Sequence, residues 1–121
     1  MCLRYDTPIL FNWRVLVEPY TIGDVTMPAD AVVWQMLGAA NHDPRKFENP
    51  DEFLIDRAGI RHVSFGGGSH FCLGNHLAKL EARYAIGEFV RRTAAVRIDV
   101  GERCWSDSFF RVLGNYQLTL S

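Results

Sequence analysis

Phe65-Gly66-Gly67-Gly68-Ser69-His70-Phe71-Cys72-Leu73-Gly74 is the stretch on which the reading of this chain turns. Three consecutive glycines let a backbone close tightly against a flat object. A histidine and a cysteine two residues apart follow them. The best helical pattern in the chain then begins, roughly Asn75 to Arg92. Leu73, Leu77, Leu80, Tyr84 and Phe89 recur there at near-helical spacing, and Lys79, Glu81, Arg83 and Glu88 fill other faces.

The loop residues admit four chemistries. Glycines before a helix N-terminus bind anions, but the order of a dinucleotide fingerprint and the Gly-Lys-Ser/Thr of a P-loop are both absent. His70 and Cys72 make a base and nucleophile pair, though not in a known elbow context. A buried structural cysteine is the usual fate of a free thiol. A metal-ligating thiolate is the fourth option, because a helix N-terminus stabilises the charged sulfur and its N–H groups tune a bound iron. Composition alone does not choose among them.

Outward from the loop, the preceding segment, Asn41 to Gly59, has no period of its own and carries Pro44, Pro50 and many Asp and Asn. So long a connection is usually functional or strapped down by its surroundings. Earlier still, the chain reads as strands: Arg14 to Glu18, Thr21 to Thr26 around Gly23-Asp24, and Ala31 to Leu37 after the turn Pro28-Ala29-Asp30. After Thr93 short strands return at Val96 to Val100 and Tyr116 to Leu120. These elements predict an α+β fold.

The whole is 121 residues, enough for one ordinary domain, with 48% apolar and 22% charged residues. That excludes disorder, collagen and a coiled coil. The 13 basic and 14 acidic side chains leave a net charge of −1, so no field points to nucleic acid or an anionic membrane. No apolar run approaches the roughly 18 residues of a membrane span, and no signal peptide is visible. Cys2, Cys72 and Cys104 are an odd, widely spaced set without a zinc pattern, so a reducing, cytoplasmic compartment is expected and no role is assigned to Cys2 or Cys104.

The loop also resembles the cysteine-ligand loop of the cytochrome P-450 superfamily, with Phe65, Gly66, Gly68, His70, Cys72 and Gly74 at its fixed positions. The resemblance runs in order along essentially all of the chain. Leu77-Ala78-Lys79-Leu80-Glu81 resembles the helix after the ligand. Ala40-Asn41-His42-Asp43-Pro44, Phe47 and Pro50-Asp51-Glu52-Phe53 resemble the meander of bacterial members, with His42 in place of the usual Arg. Leu3-Arg4-Tyr5-Asp6-Thr7-Pro8 resembles the end of the Glu-x-x-Arg helix.

The resemblance implies that residues 1–121 are the C-terminal haem-thiolate portion of a soluble, bacterial-type member, truncated at the N-terminus. The cofactor implied is haem b, iron protoporphyrin IX, with Cys72 as axial ligand to iron. His70 and Arg14 are implied at the propionates, Phe65 against the thiolate side of the ring, and Gly66, Gly68 and Gly74 in the cradle. The family reaction inserts one atom of dioxygen into an organic substrate, with electrons from a ferredoxin or reductase. Lys79 and Arg83 are implied on the basic face that receives this donor. Ile9, Leu10, Phe11, Phe109 and Phe110 are implied as an apolar wall for a small hydrophobic substrate.

Against the family pattern, Met1 stands where the Glu of Glu-x-x-Arg is expected and Glu52 where a meander arginine is expected. The family's ion network is therefore broken, and Arg4 is left to pair with Glu52. No catalytic residue is assigned, because the family's oxygen-handling acid and alcohol lie on a central helix outside these residues. The isolated chain is accordingly expected to be inactive. Two alternatives stand beside this reading: a non-catalytic remnant that does not fold or turn over alone, and a small thiol-dependent or metal-binding domain using His70 and Cys72.

Overall fold

The structure, a computed structural model, describes residues 1–59, 61–98, 105–106, 110–114 and 118–120. Cys104 and Phe109 lie outside the described residues, as do parts of the two strands expected near the C-terminus. The chain divides into two compact units, Met1–Ser64 and Phe65–Ser121.

The first unit opens with the single-turn helix α1 (Cys2–Tyr5). Strand β1 (Asn12–Val15) pairs antiparallel with β4 (Val32–Gln35), with Trp13 opposite Trp34 and Val15 opposite Val32. These four apolar side chains share one face of the ribbon, because alternate residues point the same way. Between the two strands, β2 (Tyr20–Ile22) and β3 (Val25–Met27) form a second antiparallel ribbon. The expected strand from Thr21 to Thr26 is thus a hairpin. Gly23 takes a left-handed φ of +57° that turns the chain, and the Thr21 and Thr26 hydroxyls close the ribbon at 2.9 Å.

The third expected strand also ends early. Leu37 begins a short helix, α2 (Leu37–Ala40), where the Gly38 N–H donates to the Leu10 carbonyl at 2.9 Å. A Cβ on Gly38 would stand 3.2 Å from Leu10 Cδ2, so a larger residue does not fit the crossing without movement. After α2 the chain runs through turns to Ser64. Asp43 starts them: its carboxylate accepts the Arg45 N–H and its carbonyl accepts those of Lys46 and Phe47, each at 2.9 Å.

The buried apolar residues are few among those described, Leu37 and Phe47. Beside them lies a polar plug of Arg4, Thr7, Asn41 and Ser64. Asn41 is its hub and is fully buried. Its Nδ2 donates to Thr7 Oγ1 and to Ser64 Oγ, both at 2.8 Å, and its Oδ1 accepts the Val63 N–H at 2.8 Å. Ser64 and Thr7 in turn donate to the Leu3 carbonyl. Nearly every polar atom introduced into this core therefore has a partner.

The second unit holds the Gly-rich loop and α3 (Asn75–Arg92), whose bounds coincide with those expected from sequence. Strands β5 (Val96–Ile98) and β6 (Leu118–Leu120) pair antiparallel, and Trp105 bridges Leu113. Among the described residues no helix is long and apolar enough to cross a membrane.

Candidate functional site

The loop is closed by its own backbone. The Cys72 N–H donates to the Phe65 carbonyl at 2.9 Å, which brings the two ends of the motif together. Gly66 and Gly68 hold left-handed φ values of +72° and +60°, positions where any other residue is strained. Gly68 to His70 form one turn of 3₁₀ helix. The Phe65 and Phe71 rings meet near edge-on with centroids 6.3 Å apart.

The loop's exit is anchored as firmly. The Cys72 carbonyl accepts the side-chain amide of Asn75 at 2.9 Å and its backbone N–H at 3.3 Å. Asn75 is buried and begins α3, so it fixes the thiol-bearing residue to the start of the helix. This anchoring residue was not singled out from sequence. An Asn just after a Gly at a helix start was the available signal.

Cys72 itself is a free, exposed thiol. Added Cβ atoms at Gly67 and Gly68 would meet nothing within 4 Å, and one at Gly74 would lie 4.0 Å from Cys72 Sγ. The loop thus offers bare backbone and one accessible sulfur beside the N-terminal end of an 18-residue helix. A flat macrocycle carrying a thiolate-binding iron fits these residues. His70 is exposed on the same loop. Among the described residues no three His, Cys, Asp or Glu side chains are grouped to hold a metal ion.

The other residues expected at a site divide between the two units. In the first, Arg14 is half-buried and its guanidinium donates to the Trp13 carbonyl at 2.8 Å. Ile9, Leu10 and Phe11 are half-buried, and the Phe11 ring lies 4.7 Å from that of Trp34. In the second, Lys79 and Arg83 are exposed on α3 and Phe110 is 52% exposed. The apolar positions of α3 are exposed too: Leu77, Leu80 and Tyr84 by half or more, and Leu73 just before the helix by 99%.

Arg4 departs from the expected pairing. It is fully buried and donates to the Asn41 carbonyl at 2.7 Å and to the main-chain carbonyl of Glu52 at 3.3 Å, not to the Glu52 carboxylate. Its guanidinium also faces the Phe47 ring at 5.2 Å. Burial, then the neighbouring Arg57, pull its pKa below the usual arginine value. Arg57, which sequence reasoning passed over, donates to the carbonyls of Glu48, Asn49 and Glu52 and so pins the turns of the meander. A run of Asp, Asn and Pro gives no hint which basic residue will collect its carbonyls.

The sequence model of the family described as Cytochrome P450 matches residues 2–94. The chain belongs to the cytochrome P450 family. Cytochrome P450 107B1 of Saccharopolyspora erythraea is 44% identical over 97 residues, covering 79% of this chain and 24% of that protein. The biotin biosynthesis cytochrome P450 of Bacillus subtilis is 44% identical over 97 residues, covering 80% of this chain and 25% of that protein. The crystal structure of P450BioI in complex with hexadec-9Z-enoic acid ligated to acyl carrier protein superposes with a TM-score of 0.95 at 40% identity, covering 99% of this chain and 31% of that one. The chain therefore spans about a quarter of the length of the relatives it matches. The α+β arrangement of small sheets, meander, loop and one long helix is part of the mostly helical P450 fold.

Proposed function

We propose that residues 1–121 supply the haem-thiolate portion of a bacterial-type P450 monooxygenase, with Cys72 as the axial thiolate ligand of haem b. The observation that carries this reading is the exposed Cys72 thiol, held at the start of α3 by the bonds to Phe65 and Asn75. Haem, when bound, supplies dioxygen activation for insertion of one oxygen atom into the substrate, and a thiolate ligand favours O–O cleavage.

The chain's own residues then supply the surroundings. Cys72 holds the iron. Gly66, Gly68 and Gly74 keep side-chain bulk away from the ring face, and Phe65 packs beside the sulfur. His70 and Arg14 bind the propionates by charge-assisted hydrogen bonds. Ile9, Leu10, Phe11 and Phe110 offer apolar surface to a small hydrophobic substrate, in keeping with the acyl chain that P450BioI holds. Electrons arrive from a ferredoxin or reductase whose acidic surface meets the exposed face around Lys79 and Arg83. The protein works in the cytoplasm.

Titration of the chain with haemin, followed by reduction and carbon monoxide, tests the ligand assignment. The red-shifted band of a thiolate-ligated complex is expected, and it is expected to vanish in Cys72→His. An unchanged band in that variant, or no haem uptake by a chain whose Cys72 reacts readily with thiol reagents, would overturn the proposal.

A further inference from the structure

Lys79 stands in the second turn of α3, and among the described residues it forms no ion pair. Its Nζ instead lies 5.2 Å from the centroid of the Phe65 ring. An ammonium at that range over an aromatic face is attracted by the ring's quadrupole. Phe65 in turn touches the thiol loop twice. Its ring meets Phe71, the residue before Cys72, and its carbonyl accepts the Cys72 N–H at 2.9 Å.

We propose that Lys79 is a positioning residue for the thiol loop: its ammonium holds the Phe65 ring, and Phe65 holds the backbone at Cys72. The use made of that positioning rests on the reading of Cys72 as the haem ligand, but the contact itself involves only side chains of this chain. The loop needs such a hold. Two left-handed glycines lie within it, its tip is exposed, and its two ends are joined by the Cys72-to-Phe65 backbone bond. A helix of five turns is the rigid body nearest to it in sequence, and Lys79 reaches back from that helix to the first residue of the motif. A lysine suits the task because its long stem spans the gap and only its charge is needed at the ring.

The test uses the full chain without haem. The sequence has two lysines, Lys46 and Lys79, so lysine-labelled protein gives one signal set from the proposed contact and one internal reference. The ε-methylene protons of Lys79 are expected upfield of those of Lys46 through the ring current of Phe65, and to lose that shift in Phe65→Leu. Hydrogen exchange of the Cys72 amide is expected to speed up about two- to five-fold in Lys79→Met, which keeps the stem and removes the charge. Lys79→Arg is expected to restore the slower rate, and Lys79→Met is expected to add nothing in a Phe65→Leu background. Coincident ε-methylene signals, an unprotected Cys72 amide in the parent chain, or equal exchange in Lys79→Met would overturn the proposal. Failure of haem ligation with these results intact would instead overturn the reading of Cys72.

Discussion

Replacing Asn41 by leucine is expected to unfasten the first unit, and the size of the effect follows from its partners. The substitution keeps the branched outline of the side chain, with somewhat more bulk, and removes three hydrogen bonds, two donated by Nδ2 to Thr7 and Ser64 and one accepted by Oδ1 from Val63. The two hydroxyls keep their donations to main-chain carbonyls, so each loses only an ordinary bond, about 1 kcal/mol net. The Val63 N–H is left without its acceptor in a half-buried position and forfeits its desolvation, about 1–3 kcal/mol. The sum is about 3–5 kcal/mol, comparable with the whole stability of a small domain. Thr7→Val removes one of the same bonds and is expected to cost about 1–2 kcal/mol. Thr21→Val, at an exposed hydroxyl pair, is expected to stay within about 0.5 kcal/mol. Amide hydrogen exchange reads these values locally. In Asn41→Leu the Val63 amide and its neighbours are expected to exchange roughly 100- to several thousand-fold faster, at about 1.4 kcal/mol per tenfold. A change no larger than that of Thr21→Val would refute the argument that Asn41 is the hub.

Other outcomes follow from the same geometry. Gly66→Ala places a Cβ at a φ of +72° and 3.4 Å from the His70 carbonyl oxygen, so it is expected to cost about 1–2 kcal/mol in the loop, read by loss of Cys72 amide protection. Arg4→Lys keeps the charge but cannot serve both carbonyls with a planar fork, and about 1–3 kcal/mol of destabilisation is expected from denaturant unfolding followed at Trp13 and Trp34. Hydrogen bonds from Arg45 hold the Asp43 carboxyl down at about 2 against an ordinary 3.8. A depressed carboxyl stabilises the fold above the unfolded value, so that contribution is fully present above pH 3.8 and fades as the pH falls through about 2. An Asp43 titration followed by NMR is expected to show this midpoint and to move back toward 3.8 in Arg45→Ala.

What could be read from the sequence was whatever depends on local rules. The bounds of α3 follow from side-chain period and the glycine before it, and the structure repeats them. The Gly-rich loop declares itself by composition. Turn chemistry was partly legible: Pro28-Ala29-Asp30 was read as a turn, but one extended stretch was expected across Gly23-Asp24, where the left-handed φ of Gly23 makes a hairpin. The polar plug was not legible. Thr7, Asn41 and Ser64 are short polar residues in irregular segments, which usually mark surface, and only a fold that brings residues 3, 7, 41 and 63–64 together buries them. Arg4 illustrates the same limit. Its partner residue, Glu52, was named from sequence, yet the bond goes to the main chain, because a guanidinium reads any well-placed oxygen. On α3 the period identifies the apolar positions, while their exposure among the described residues is a tertiary property that no period carries.

Directional bonds do much of the positioning in both units, and this bears on how the proposed site keeps its shape. In Met1–Ser64 the described apolar core is Leu37 and Phe47, which at about 1.5–3 kcal/mol each cannot offset the ordering of so long a segment. Half-buried apolar side chains such as Leu10 and Phe11 add to it, and directional bonds fix positions within it: those of Asn41, the carbonyls gathered by Arg4 and Arg57, and the Asp43 turn. Hydrogen bonds and ion–dipole contacts specify position more sharply than apolar area does, because they fail with small displacements. The thiol loop follows the same rule on a smaller scale. Its conformation is set by two left-handed glycines, the Cys72-to-Phe65 bond and the Asn75 anchor, with no buried apolar side chain of its own. A site built this way tolerates changes at exposed side chains that touch none of its anchors, such as Ser69, and is sensitive to changes in the backbone and its few polar anchors, Lys79 among them. The position of Cys72 is therefore expected to depend on Gly66, Gly68, Asn75 and the Lys79–Phe65 contact more than on Leu73, since a side chain at either glycine strains a left-handed backbone while bulk at Leu73 meets solvent.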